Sequence, residues 1–364
     1  MKIILCGGGT SGHVTPSLAI AEAFKRRLPE CEFLFIGRRG GKENDAVNDA
    51  GLPVNEIDIR GLRHFLSIEN AAILREAIKA RRKAKSIISD FSPDAVIGTG
   101  GYVCWPVISA AQKMNIPTFI HESNAAAGLT TRILSKGCRA VFAGVKELEN
   151  EFPNGIYTGN PLRRNFINKS RTSARKEMKI SDDRRLIISV GGSLGAEKLN
   201  DAAIALMNNF SLKNKNIVHI HICGHRYYED IKRRYPELCS LNSQVRIIPF
   251  SNDMPTLLHA ADLVIARCGA MTISEIECCR VPAVLIPSPN VASDHQRKNA
   301  YAYAKDEATV VIEEKELTGD SLIAEVRKML SADYRVNWIK NTAKNRYFCD
   351  AGDVIVEKVI EIIK

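Results

Sequence analysis

No stretch of the chain approaches the roughly 18 to 20 uninterrupted apolar residues that a membrane-spanning helix needs. Cysteine occurs ten times, yet no two residues form a CxxC pair, and Cys6, Cys223 and Cys268 sit inside apolar runs. Such residues read as small buried hydrophobes of a reducing compartment, which argues against a disulfide framework and against zinc. Also missing is a glycine loop ending in Lys-Ser/Thr, so an ATP site loses ground, and a dinucleotide site is not expected either. Short-period repeats and low-complexity segments are lacking too. Met1 to Cys6 runs at once into three glycines, too short and glycine-rich a start for a secretion signal, and the chain is expected to stay in the cytoplasm.

What is present is an ordinary globular composition, 45% hydrophobic and 25% charged, which excludes disorder, collagen and coiled coil. At 364 residues the chain exceeds one ordinary core, and two domains of roughly 150 to 200 residues are expected. Fifty-one basic against 41 acidic residues give a net charge of +10, pointing to an anionic partner: nucleic acid, acidic lipid or a phosphorylated substrate. The surplus is spread over both halves, but residues 60 to 85 concentrate Arg60, Arg63, Arg75, Lys79, Arg81, Arg82, Lys83 and Lys85 against only Glu69 and Glu76. Phe65 is the sole aromatic there, too few stacking groups for a nucleic-acid site, and no nucleic-acid partner is expected.

Short apolar, β-branched runs alternate with segments of helical period: 2–6, a helix from Pro16, then 32–36, 95–97, 118–121 and 140–142. The rhythm breaks around Gly159-Asn160-Pro161, where a basic polar stretch to Arg185 marks the domain boundary. It then restarts with runs at 186–190, 217–223, 245–248, 263–265 and 283–286. Strand, helix, strand in this order argues for an α/β protein with parallel sheets. A closing segment from Asp353 has a helical apolar period.

Three glycine-rich turns stand at strand ends: Gly7-Gly8-Gly9-Thr10-Ser11-Gly12, Gly98-Thr99-Gly100-Gly101 and Gly191-Gly192-Ser193-Leu194-Gly195. Glycine lets backbone N–H groups approach a phosphate, and the following helix dipole favours negative charge. One such turn alone could be a tight βα connection; three are harder to dismiss. His13 opens the first helix, where the dipole is expected to lower its pKa and keep it ready to accept a proton. Arg267 to Glu275 repeats the strand–glycine–helix pattern, with Glu275 one turn in and able to accept from ribose hydroxyls, although Thr272 and Glu275 could equally form a capping box. Asn124 and Gln296, in polar turns after strands, suit sugar hydroxyls because amides both donate and accept.

In order, GGGTSGHVTP, GTGGYV, HESN with AGLT, GNPLR, GGSLGA and RCGAMTISE with DHQ closely resemble the MurG family over residues 2 to about 300. The resemblance implies a GT-B fold of two Rossmann-like domains whose parallel sheets face a cleft. An acceptor and membrane-facing domain would span 1–162, completed by a C-terminal helix at about 346–364, and a UDP-sugar domain would span 163–345. It implies inverting transfer of N-acetylglucosamine from UDP-N-acetylglucosamine to undecaprenyl-diphosphate-muramyl-pentapeptide (lipid I), forming lipid II for peptidoglycan, at the anionic cytoplasmic face of the membrane. No cofactor and no metal are expected, since no DxD-like site demands one. Carried over, His13 is the general base; Thr10, Ser11 and Gly12 lie at donor sugar and acceptor diphosphate. Ser193 and Arg163 contact the donor diphosphate, Ala270, Met271, Thr272, Ile273, Ser274 and Glu275 the phosphates and ribose, Gln296 and Asn124 the sugar, and Ser251 the uracil through its backbone. Departures are Ser11 for a usual glycine, Cys104-Trp105 for Ser-Gly, Ser251 for an apolar residue, and Ala125 for glycine or proline. A transferase with another acceptor and a UDP-N-acetylglucosamine 2-epimerase remain alternatives on the same fold. On the helix expected from about Asn70 to Asp90, Arg75, Lys79, Arg82 and Lys83 beside Ile73, Leu74, Ala77 and Ile78 could rest on anionic headgroups, or be a solvated face.

Overall fold

The computed structural model describes the chain except residues 10, 42, 62–68, 193, 241–243, 292–293, 305–308 and 332–350, and the side chains of 11, 43 and 69–72. It divides into two compact units, Met1–Arg164 with Phe348–Lys364, and Asn165–Tyr347.

The first unit is built on seven strands, β1 Lys2–Cys6, β2 Glu32–Arg38, β3 Val54–Ile57, β4 Ala95–Gly98, β5 Thr118–Glu122, β6 Ala140–Ala143 and β7 Gly155–Tyr157, ordered β3-β2-β1-β4-β5-β6-β7. Every pairing is parallel, which explains why the central strands read as unbroken apolar runs: helices cover both faces. Side chains alternate between those faces. Ile3 and Leu5 point to a core shared with Leu18 and Phe24 of helix Ser11–Arg27, while Ile4 and Cys6 meet Ala84 and Ile88 of helix Glu69–Phe91 and Val107 and Ile108 of helix Cys104–Lys113. Helix Ala351–Ile363 returns to the first face, burying Ile355, Val356 and Val359 against that core. Its Gly352 lets it close on Ala23, to which an added Cβ would lie 3.2 Å away, and Asp353 accepts from Arg26 at 2.5 Å.

The second unit carries β8 Arg185–Val190, β9 Ile217–Ile222, β10 Val245–Ile248, β11 Leu263–Arg267, β12 Ala283–Ile286 and β13 Thr309–Val311, again all parallel, ordered β10-β9-β8-β11-β12-β13. The basic stretch between the apolar halves is helical, at Arg164–Ile167 and Arg171–Glu177. Arg171 (3.0 Å), Arg175 (3.0 Å) and Arg185 (3.4 Å) converge on the buried carboxylate of Asp262, so this stretch clamps onto the second sheet. Among the described residues no helix is long and apolar enough to cross a membrane, and no cluster of His, Cys, Asp and Glu could hold a metal.

In each sheet the strand order reverses once, between β1 and β4 and between β8 and β11. Open parallel sheets receive ligands outside the carboxyl ends of their strands at such a reversal. The glycine turns singled out in the sequence follow β1, β4, β8 and β11.

Candidate functional site

In the first unit, the turns after β1 and β4 close around His13. The His13 Nδ1 lies 2.9 Å from the Gly8 carbonyl, which can only accept, so Nδ1 carries a proton and the neutral ring has its lone pair on Nε2. Gly101 has φ +84°, and a Cβ there would come within 2.0 Å of the Gly8 oxygen; at Gly100, φ +109°, it would come within 2.7 Å of His13 Cδ2. Thr99 locks the arrangement: its hydroxyl donates to the His13 carbonyl at 2.6 Å and accepts from Ser17 at 2.7 Å. The Cys104 thiol lies 3.1 Å from Gly100 O and 3.4 Å from Cys6 O, its one proton shared between them, so this departure from the family pattern links the turn after β4 to the end of β1. Arg81 stacks over its neighbour Trp105, 5.7 Å from the ring centre.

Past β5, the buried Glu122 organises the loop that carries Asn124. One oxygen accepts from Asn124 N (3.2 Å) and Nδ2 (3.0 Å), the other from Gly128 N (3.0 Å) and Thr131 Oγ1 (2.7 Å). His121 beside it is held neutral by burial, its pKa lowered to about 4, with Nε2 3.2 Å from Gly159 O. Arg163 belongs to this unit, its Nε donating to Glu22 at 2.8 Å on the first helix. Thr10 and Ser193 lie outside the described residues, as does the side chain of Ser11.

In the second unit, helix Ala270–Cys278 starts at Gly269 with no side-chain cap, so the Thr272–Glu275 capping box does not form. The first N–H groups of the helix therefore lack intrahelical partners and face the turn after β11. Met271, Ile273 and Ser274 are buried and Ile273 N already donates to Gly269 O (3.0 Å), leaving Ala270, Thr272 and Glu275 as the more accessible members. Burial pushes the Glu275 carboxyl up to about 8. Gln296 Oε1 accepts from Cys268 N (3.2 Å) and Ser288 N (3.0 Å), which spans the ends of β11 and β12 and leaves its amide N–H groups as the donors for a ligand. Arg267 is turned away, donating to Ile286 O (3.2 Å) and Pro287 O (3.3 Å) and paired with Glu314. Ser251 Oγ accepts from Asp253 N (3.2 Å) within its own loop, whereas the preceding Phe250 is 45% exposed and stacks on His225 at 5.6 Å.

Nothing in the sequence assigns a site role to Glu122, Thr99, Cys104 or Phe250, although Thr99 stands in a glycine turn, Cys104 among the departures, and Glu122 directly before Ser-Asn at a strand end. The His13 group and the Asn124 loop belong to one unit, and the Glu275, Gln296 and Gly191–Gly195 groups to the other.

Glycosyltransferase family 28 N-terminal domain matches residues 3–143, and the family's C-terminal domain matches residues 186–350. A protein of Acetivibrio thermocellus is 39% identical over 100% of this chain and 99% of its own length, and one of Listeria welshimeri is 38% identical over all of both. Both are named UDP-N-acetylglucosamine–N-acetylmuramyl-(pentapeptide) pyrophosphoryl-undecaprenol N-acetylglucosamine transferase. The crystal structure of Acinetobacter baumannii MurG superposes with a TM-score of 0.74 at 27% identity, covering 99% of each chain. The GT-B class expected from the motifs, with two Rossmann-like parallel sheets, is the fold observed.

Proposed function

The chain belongs to glycosyltransferase family 28, and from that membership we propose that it transfers N-acetylglucosamine from UDP-N-acetylglucosamine to lipid I, forming lipid II, with inversion at the anomeric carbon. The observation that carries this reading is the match to transferases of that name over all of both chains.

The acceptor hydroxyl attacks the anomeric carbon while His13 Nε2 takes its proton, which the tautomer fixed by Gly8 allows. Charge then grows on the leaving UDP. The first turn of helix Ala270–Cys278 offers backbone N–H groups and a helix dipole to that charge, and the Gly191–Gly195 turn leads into helix Glu197–Leu206, whose dipole adds to it. Ser193 and the Nη groups of Arg163 add to the diphosphate contacts, Arg163 Nε being held by Glu22. Glu275 accepts from the ribose, the Gln296 amide N–H and Asn124 grip the sugar, and Thr10, Ser11 and Gly12 line the acceptor diphosphate. Phe250 supplies the apolar contact to uracil that Ser251 lacks.

The acceptor's lipid calls for a membrane surface. Helix Glu69–Phe91 supports one: Leu74 is 56% and Ile78 36% exposed, interleaved with the exposed Arg75, Lys79 and Arg82. Exposed aliphatic side chains amid basic ones suit an anionic bilayer better than plain solvent.

Purified protein incubated with labelled UDP-N-acetylglucosamine and a short-chain lipid I analogue should give labelled lipid and UDP in equal amounts. Release of free UDP-N-acetylmannosamine would replace the reading with an epimerase, and no product from either route would overturn both.

A further inference from the structure

The sheet of the second unit holds a line of buried polar groups for which the reaction above has no use. Ser189 of β8 stands beside His221 of β9, and Ser189, His219 and His221 are all fully buried. Ser189 Oγ is 2.8 Å from His221 Nδ1 and 2.9 Å from His219 Nε2; Ser211 Oγ is 3.1 Å from His219 Nδ1. At the other end His221 Nε2 lies 3.0 Å from Asn200 Oδ1, and Asn200 Nδ2 donates to the Cys223 carbonyl at 3.1 Å.

One end of this line dictates every proton in it. The Cys223 carbonyl can only accept, so the Asn200 amide nitrogen faces it and Oδ1 faces His221. His221 must then donate from Nε2 and accept at Nδ1 from the Ser189 hydroxyl. Ser189, having given its proton, accepts from His219 Nε2, and His219 Nδ1 accepts from Ser211. Two neutral imidazoles are thus fixed in one tautomer, and burial holds His221 neutral by lowering its pKa to about 4.

The line ends on the candidate donor site. Cys223 O lies 2.2 Å from where a Cβ on Gly195 would stand, and Gly224 packs on the Leu194–Gly195 backbone in the same way, so the turn after β8 rests on the peptide that Asn200 holds. Asn200 itself sits on helix Glu197–Leu206, which that turn opens. Apolar side chains could fill this layer at lower desolvation cost; a directed polar line instead specifies a single geometry.

We propose that Ser211, His219, Ser189, His221 and Asn200 form a positioning element that sets the Gly191–Gly195 turn for the donor diphosphate through the carbonyl of Cys223. The inference rests on the donor-site reading given above.

Paired variants at one residue test it. In His221→Gln the longer amide reaches the place of Nε2 and still donates to Asn200; in His221→Asn the shorter amide keeps Ser189 and loses Asn200. Losing that one buried hydrogen bond should raise the KM for UDP-N-acetylglucosamine about tenfold in His221→Asn with kcat within about twofold, while His221→Gln stays within about twofold in both. Equal changes in two variants that melt at similar temperatures, or no change in either, would overturn the proposal. Should either variant not fold, histidine 15N spectra of the wild type decide. Nε2–H tautomers at His219 and His221, with the His221 Nε2 resonance moving as UDP is added, are expected. An Nδ1–H tautomer at His221, or a silent His221 in protein that binds UDP, would overturn the inference alone; wild-type protein that binds no UDP would overturn the donor-site reading with it.

Discussion

The His13 imidazole is gripped by backbone on two sides, and its substitution should separate chemistry from binding. His13→Ala is expected to lower kcat by about 10²- to 10⁴-fold, the usual worth of a general base, with UDP affinity by calorimetry unchanged. Equal loss of both would make it structural. Gly101→Ala tests the support: at φ +84° the new methyl must push Gly8 away, so kcat should fall while UDP affinity again holds. On the donor side, Glu275→Ala should weaken UDP binding by about 10- to 100-fold through loss of a half-buried acceptor, and unaltered affinity would remove its ribose role. His13, Glu275, Asn124 and Gln296 could be proposed from the sequence because glycines or strand ends flank them. Thr99 stood in a glycine turn, but its role was hidden because it lies in the His13 carbonyl it reaches 86 residues away, which no local pattern encodes.

At the scale of the element, the basic helix Glu69–Phe91 carries the membrane reading. Neutralising Arg75, Lys79, Arg82 and Lys83 together should reduce sedimentation with anionic vesicles by well over tenfold, at roughly 1 kcal/mol per basic residue, and leave binding to neutral vesicles unchanged. Persistent sedimentation would return the helix to an ordinary solvated face. Most strands were legible because central parallel strands are apolar throughout. The three that were not, β3, β7 and β13, are all edge strands, where one side meets solvent and residues such as Asn55 and Glu56 are tolerated. Helices Arg171–Glu177 and His225–Arg234 escaped for a related reason: they are mostly polar, and the first is fastened by arginines on Asp262.

For the molecule as a whole, buried titratable groups set a stability optimum. His121 and His221, folded pKa about 4 against the ordinary 6.5, stay neutral while the unfolded chain takes up protons, so stability is lost as pH falls from 6.5 through 4. His219, also held well below 6.5 by burial, acts in the same direction. Glu275 works the other way: raised to about 8 from 4.5, it holds its proton when the unfolded chain has lost it, and stability falls as pH rises from 4.5 through 8. Four histidines, His259 included, outweigh one glutamate below 6.5; between 6.5 and 8 the glutamate dominates, and the buried thiols, raised above their ordinary 9, add to the alkaline loss only beyond that. Denaturant unfolding followed from pH 4 to 9 should therefore peak near 6.5, and Glu275→Gln should flatten the alkaline side. A wild-type curve still climbing between 6.5 and 8 would contradict this balance. Because helix Ala351–Ile363 completes the core begun by β1, residues 1–164 produced alone should aggregate, and co-expression with 348–364 should restore solubility.

That same return of the chain gives synthesis on the ribosome a definite order. The second unit has all its strands once residue 311 has emerged, whereas the first, although begun earlier, must wait with an apolar groove along Leu18 and Phe24 until Ile355, Val356 and Val359 arrive. The part translated first is thus the last to be finished.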